Sequence, residues 1–234
     1  MKKETPTIGL GLYTSVDLSS WRFGEGLLSL LYRLGPMIAP AQVDLGGRWQ
    51  TIEHADLQPV SRMWKQSNSA VFRRMNRHES HLAIVLRGVG SGFQSVDYYV
   101  DEGFFRRPEQ VQQFLELSEA IYDLINPVFG SAHETRDSIN LSTIHDPRYG
   151  RTMLPVNLDK GLPGPYWANY LGPGYVAKLG KTKLLSAPCY QVRELADGGV
   201  MLLTAASPLN PATEANRSAQ KRLREYLGDD LFYP

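Results

Sequence analysis

The sequence predicts an α+β fold, a mostly antiparallel sheet with helices packed on one face. Three observations carry this. The runs of helical and strand-like character do not alternate one for one, as a parallel βαβ sheet would require. They read strand, helix, strand, helix, two strands, long helix, loop, two strands, helix. The turn Asp197-Gly198-Gly199 joins two apolar runs as a hairpin, which is an antiparallel device. Finally, the long run 108–126 repeats its apolar side chains with a helical period, so it has one face to bury.

Each element has a local reason. In residues 7–14, Ile8, Leu10 and Leu12 alternate with glycines, which reads as a strand. A helix over 23–34 carries Leu27, Leu28, Leu30, Leu31 and Leu34 and is ended by Gly35-Pro36. Residues 42–49 read as a short strand broken by Gly46-Gly47. Residues 60–77 read as an amphipathic helix, with Val60, Met63, Trp64, Val71 and Met75 against Arg62, Lys65, Arg73 and Arg77. The aliphatic run 82–87 predicts a central strand, Gly88 and Gly90 a turn, and 96–105 the partner strand. In 108–126, Val111, Phe114, Leu115, Ser118, Ile121, Tyr122 and Ile125 form one face; Pro108 suits its first position and Pro127 stops it. The stretch 129–164 predicts a strand near Ala132 and then a long loop. A short helix over 175–179, strands over 184–195 and 200–206, and a helix over 212–227 complete the chain. We read residues 1–234 as a single α+β domain.

Composition excludes several function classes. With 42% hydrophobic and 21% charged residues, the chain is an ordinary globular protein and not a disordered tail or a fibre. Lys plus Arg number 25 and Asp plus Glu 24, so a net charge of +1 removes any bulk electrostatic argument for nucleic acid or an anionic membrane. A charged partner must be met by a local patch. The lone cysteine, Cys189, fits a reducing compartment. The opening MKKETPTIGLGLYTS has two lysines but then Glu4 and Pro6 and no long apolar run, so it does not read as a signal peptide. The expectation is a soluble, cytoplasmic protein.

No motif sets up catalysis or a cofactor. There is neither a GxSxG nucleophile elbow nor a phosphate-cradling GxxxxGK[ST] loop. Gly9-Leu10-Gly11 lacks the third glycine and later acid of a dinucleotide site, so strand packing explains it better. Cys189 follows Pro188 in a strand-like run and reads as a small buried hydrophobe. His78 and His81 stand in the run HESH, where i, i+3 spacing on a helix would put two imidazoles on one side. His133 and Glu134 could complete a metal site, and a metal-dependent hydrolase using these residues is the alternative to a binding role. HESH is not the HExxH of zinc peptidases, so surface or capping histidines are the favoured reading. Arg62, Lys65, Arg73, Arg74 and Arg77 could meet phosphates, but no aromatic interleaves with them, and a solvated face is favoured.

Two other segments stand out. In a strand, Asp97, Tyr99 and Asp101 share one face, with Tyr98, Val100 and Glu102 on the other, and the first face combines carboxylates with an aromatic anchor. That combination suits a protein partner presenting Arg or Lys. The segment PYWANYLGPGYVAKLG, residues 165–180, reads as a tightly packed aromatic turn that scaffolds and does no chemistry.

The second segment brings in a family. The run Trp167-Ala168-Asn169-Tyr170-Leu171-Gly172 is followed by a short helix ending at Leu179-Gly180, a strand, the Asp197-Gly198-Gly199 turn and an apolar strand. This succession resembles the C-terminal half of the immunity protein 52 family of bacterial polymorphic toxin and type VI secretion systems. Length and element order agree over most of the chain. That family is described as α+β with a conserved tryptophan and a GxxS motif; Trp167 is the candidate tryptophan, and Gly88-Val89-Gly90-Ser91 matches GxxS. The resemblance implies an immunity protein with no catalytic, cofactor or metal site. It would bind and neutralise a cognate toxin, a restriction-endonuclease-like nuclease, by protein–protein occlusion, with no contact to nucleic acid or membrane. Asp97, Tyr99, Asp101 and Glu102 are the expected contact residues. One departure is that this chain is neutral where many nuclease inhibitors are strongly acidic, which favours a local acidic patch or plain occlusion over bulk charge mimicry.

Overall fold

Alternating apolar residues and glycine-rich turns produce a sheet in a computed structural model that describes residues 7–53, 56–75, 78–86, 92–135, 143–146, 150–153 and 158–232. The fold is α+β, and the chain divides into two compact units, Gly9–Val128 and Met1–Ile8 with Phe129–Pro234. The Gly88-Val89-Gly90-Ser91 run and Arg77 lie outside the described residues.

In the first unit the strands are β1 (Thr7–Thr14), β2 (Gln42–Asp44), β3 (Trp49–Thr51), β4 (Ser69–Arg74), β5 (Ser80–Val85) and β6 (Gln94–Asp101). They lie in the order β1-β6-β5-β4-β2-β3. The β2–β4, β4–β5 and β5–β6 pairs are antiparallel, and their register lines up Val43, Phe72, Leu82 and Tyr98 in one cross-strand row and Ala70, Ile84 and Val96 in the next. All seven are buried. Three helices, α1 (Trp21–Arg33), α2 (Gln58–Gln66) and α3 (Pro108–Ile125), belong to this unit. Ring contacts place α2 and α3 on the apolar face: Trp64 of α2 sits 6.3 Å from Phe72, and Phe114 of α3 sits 6.4 Å from Tyr98.

Trp64 anchors this core. It is fully buried, its rings also meet Trp21 and Phe23 of α1, and its indole Nε1 donates to the Leu18 carbonyl at 3.0 Å. A buried indole with its N–H satisfied contributes its whole apolar area without a desolvation cost. Helix α3 follows the expected face and ends as anticipated, with Asn126 in the left-handed region at φ 44° and its N–H bonded to the Tyr122 carbonyl. The Thr14 hydroxyl donates to the Ile125 carbonyl at 2.8 Å and ties β1 to that helix end.

The second unit carries β7 (Phe129–Glu134), a separate hairpin of β8 (Thr143–Asp146) and β9 (Gly150–Met153), and then β10 (Ala168–Leu171), β11 (Gln191–Glu194) and β12 (Val200–Leu203). Here the order is β11-β12-β10-β7, with antiparallel pairs throughout. Its helices are α4 (Pro173–Leu179), α5 (Lys181–Leu185) and α6 (Glu214–Leu227). The Asp197 side chain accepts from the Gly199 N–H and Gly198 adopts φ 86°, so the expected hairpin turn forms between β11 and β12.

Four expectations need correction. Residues 60–77 are not one helix: α2 ends at Gln66, and Ser69–Arg74 is strand β4. The polar break Ser67-Asn68-Ser69 lets the chain reverse, and Ala70 and Phe72 are then buried with a period of two. Residues 42–49 form a hairpin, β2 to β3, because Gly46 and Gly47 adopt φ of 67° and 84°. The strand expected over 96–105 stops at Asp101, whose carboxylate accepts from the Gly103 N–H and starts a 3-10 turn over Glu102–Arg106. The strand expected over 184–195 is replaced by α5 and a shorter β11, with Pro188 between them.

The aromatic segment also differs from its sequence reading. It is scaffold, but Ala168–Leu171 is a central strand with all four residues buried. Asn169 clasps its entry: its Oδ1 accepts from the Tyr166 N–H at 2.9 Å, and its Nδ2 donates to the Tyr166 carbonyl at 3.0 Å. The Trp167 indole donates to the Ala205 carbonyl at 2.9 Å.

The contact between α1 and α2 yields a test. A methyl on Gly24 would lie 2.9 Å from two ring atoms of Trp64 and 3.1 Å from Trp21. Overpacking against a ring that cannot move should outweigh the ~1 kcal/mol that alanine gains in helix propensity. Gly24→Ala is expected to lower stability by ~1–3 kcal/mol in urea denaturation, whereas the same change at Gly26, whose nearest neighbour would be 4.0 Å away, should be neutral or stabilising.

Candidate partner-binding surface

The register that buries one face of the first unit's sheet sends the intervening residues to the other. On that second face Gln42, Arg73, His81 and Tyr99 form one cross-strand row, and Val71, Ala83 and Asp97 the next. Every one of these residues is half-buried. The surface is therefore polar and aromatic, with small apolar residues between.

Its cationic end is held internally. Arg73 lies over the Trp49 ring at 4.0 Å and donates from Nε to Gln42 Oε1 at 2.8 Å. Arg74 points the other way and donates to the Ala39 carbonyl. Arg62 and Lys65 are on α2. The continuous basic helix face suggested by the sequence does not exist among the described residues, because Arg73 and Arg74 belong to a strand.

Asp97 lies at the acidic end. Its Oδ2 accepts from the Ser95 hydroxyl at 2.7 Å, and among the described residues no Lys, Arg or His forms an ion pair with it. Its Oδ1 faces Gly11 of β1, where a methyl would sit only 3.1 Å from that oxygen and 3.4 Å from the Tyr13 hydroxyl. Burial raises the Asp97 carboxyl to about 6, with the Ser95 hydrogen bond opposing the shift. Burial and the neighbouring Asp97 charge together push the Tyr99 hydroxyl to about 12. Strand alternation thus delivers Asp97 and Tyr99 to one surface as expected.

Asp101 and Glu102 do not join that surface in the same way. Asp101 accepts from the Gly103 N–H at 2.8 Å and meets His78 Nδ1 at 3.3 Å, so it is engaged in ending the strand. Glu102 is the first residue of the 3-10 turn and is half-buried. His78 and Asp101 border a cleft of about 630 Å³ with Met37, Gly103, Arg106, Arg107 and Gln110.

The histidines of the alternative reading are dispersed. HESH is a turn leading into β5 and not a helix, so His78 and His81 lose the shared side that i, i+3 spacing would give. His81 pairs with Glu79 at 2.9 Å. His133 belongs to β7 in the other unit, stacks on Tyr166 with centroids 4.3 Å apart, and is lowered by burial to about 4. The imidazole is neutral at neutral pH. Among the described residues no group of three or more His, Cys, Asp or Glu is placed to hold a metal ion. Burial raises the Cys189 thiol to about 11, which leaves little thiolate for nucleophilic attack. No helix among the described residues is long and apolar enough to cross a membrane.

Sequence reasoning missed Gly11, which it assigned to strand packing, Tyr13, to which it gave no role, and the row Gln42–Arg73–His81. The signal for Tyr13 was present in its two-residue spacing from Gly11. The row depended on β4, which was read as helix.

No protein-family model matches the chain, and no curated protein does. The resemblance to the immunity protein 52 family therefore has no family match behind it. Among solved structures, the chain is similar in fold to one described as Pseudomonas aeruginosa T6SS protein PA0821, with a TM-score of 0.64 at 13% identity over all of this chain and 77% of that one. At that identity the likeness is one of fold.

The buried acid makes a measurable demand on stability. The Asp97 pKa is raised on folding from the ordinary 3.8 to about 6, so the folded state holds more protons between those values. Its contribution is favourable below the lower value and is lost as pH rises through about 6. His133 acts in nearly the same window with the opposite sign, since its depressed pKa makes stability rise as pH climbs from about 4 to 6.5. Asp97→Asn should stabilise the chain at pH 7.5 by ~1–2 kcal/mol, with the gain vanishing near pH 4. Urea titrations at several pH values check this, and a variant that is less stable at pH 7.5 would show that the carboxylate is compensated.

Proposed function

We propose that this chain is an immunity protein of a type VI secretion or polymorphic toxin system. It binds a cognate toxin in the cytoplasm of the producing cell and neutralises it by covering a functional surface, without chemistry of its own. The single observation that carries the reading is the polar, aromatic sheet face bearing a carboxylate with no cationic partner among the described residues. A monomer gains nothing from such a group, whereas a basic protein surface would complete it. The fold likeness to a T6SS protein and the sequence resemblance centred on Trp167 support the same system. A nuclease is the toxin class that fits, because nucleases present Arg and Lys where they bind phosphates. The near-neutral net charge points to local matching and not to mimicry of nucleic acid.

The metal-hydrolase reading is not favoured, since HESH forms no helix, His81 pairs with Glu79 and His133 stacks on Tyr166.

The test is co-expression with the product of the adjacent gene. Cells should survive the toxin only when this chain is present, and the two proteins should co-purify. Tyr99→Ala, which removes an aromatic anchor from the sheet face, should weaken capture about tenfold, or ~1–2 kcal/mol. Equal killing with and without the chain would sink the proposal.

A further inference from the structure

We infer that the cleft between the loop after α1 and the start of α3 binds a small phosphomonoester, its phosphoryl group held by Arg106 and Arg107 and its organic part lying against Met37. The inference is independent of the immunity role and uses none of the sheet-face residues.

Three features of the cleft lead to this class of ligand. The first is positive charge without a counter-ion. Arg106 closes the 3-10 turn over Glu102–Arg106, and Arg107 follows it as the N-cap residue of α3. Both border the cleft and both are exposed. Among the described residues neither forms an ion pair, although Glu102 and Glu109 are close in the chain. Two neighbouring guanidinium groups repel each other. A doubly charged oxyanion relieves that repulsion and accepts paired N–H donors from each. A phosphomonoester dianion matches the two charges, whereas a single carboxylate leaves one arginine over.

The second feature is that the acid of the cleft is already engaged. Asp101 accepts from the Gly103 N–H at 2.8 Å and lies 3.3 Å from His78 Nδ1. Gly103 keeps this arrangement tight, since a methyl there would sit 2.7 Å from Asp101 Oδ1 and 3.6 Å from the His78 ring. His78 meets Phe104 edge-to-face at 5.8 Å. Asp101 therefore belongs to the strand end and leaves the arginines uncompensated. Gln110, half-buried in the first turn of α3, adds a neutral amide donor to the same wall.

The third feature is size and an apolar wall. The cleft holds about 630 Å³, far more than a bare phosphate fills and inside the ~300–1,000 Å³ range of small-molecule pockets. Met37, at 37% exposure, is one of the few large apolar side chains left at the surface, and it borders this cleft. A thioether makes favourable contact with an aromatic ring, so an aromatic group on the phosphate would cover it. Every one of these residues lies within Gly9–Val128, so the site is built by one unit alone.

Calorimetry and NMR on the full chain, at pH 7.5 and low salt, test the site. Phenyl phosphate is the probe, with inorganic phosphate, phenol and succinate as comparisons. Phenyl phosphate should bind with a Kd below about 1 mM, inorganic phosphate several-fold more weakly, and phenol and succinate at least tenfold more weakly. The Met37 methyl signal should move with phenyl phosphate and stay in place with inorganic phosphate. The Arg106 and Arg107 Nε–H signals should move with both. Arg106→Gln and Arg107→Gln should each weaken phenyl phosphate at least tenfold. Met37→Ala should weaken it several-fold and leave inorganic phosphate unchanged. All three side chains are exposed, so the variants should fold, and thermal unfolding checks that they do. If a variant does not fold, the NMR titrations of the wild-type chain decide. No heat and no signal movement up to about 10 mM phenyl phosphate overturns the assignment. Affinity that survives both arginine substitutions, or succinate binding as tightly as phenyl phosphate, overturns it as well.

Discussion

The register of β4, β5 and β6 is the constraint on which the candidate surface depends. Because side chains in a strand alternate with a strict period of two, placing Leu82 opposite Tyr98 also places His81 opposite Tyr99 and Ala83 opposite Asp97. A slip of one residue would bury the acid against α3 and expose Tyr98. The ring contacts Trp64–Phe72 and Tyr98–Phe114 hold the register from the helical side, so the core fixes the composition of the opposite face. Packing and the make-up of the opposite face are two results of one alignment.

Under the proposed role, that alignment is what would let a nearly neutral chain recognise charge. A net charge of +1 produces little long-range steering, so encounter would be no faster than for neutral proteins. Discrimination must come after contact, from groups whose surroundings are already arranged. In the proposed role Asp97 would be such a group, raised in pKa by burial and oriented by Ser95. Much of the usual cost of stripping water from an interfacial acid is then borne by folding and not by binding.

The parts legible in the sequence were those governed by local rules. Helix α3 has an uninterrupted helical period, a starting proline and a stopping proline, and it formed as read. The same holds for β1 and the turn at Asp197-Gly198-Gly199, where alternation and glycine conformation decide the outcome. Failures arose where two periods overlapped. Residues 60–77 keep a loosely helical spacing of apolar groups, but Ser67 and Asn68 interrupt it and cross-strand pairing with β5 rewards Ala70 and Phe72 as a strand. Losing β4 concealed the Gln42–Arg73–His81 row. Asp97 and Tyr99 were found because their shared face follows from alternation alone. Gly11 and Tyr13 were not, since adjacency of β1 to β6 is a matter of topology.

Asn169 shows how the bonding of a single amide can limit which side chains a position accepts. It must offer an acceptor to one peptide N–H and a hydrogen to two carbonyls, those of Tyr166 and, at 3.4 Å, Leu202. Aspartate brings no hydrogen at neutral pH, serine is too short to span both directions, and glutamine adds a methylene that a closed interior has no room for. Proteins descended from a common ancestor could diverge at almost every neighbouring position and still be forced to keep this one. In any such lineage, shared ancestry would be written less in overall similarity than in the few side chains that have no chemical synonym.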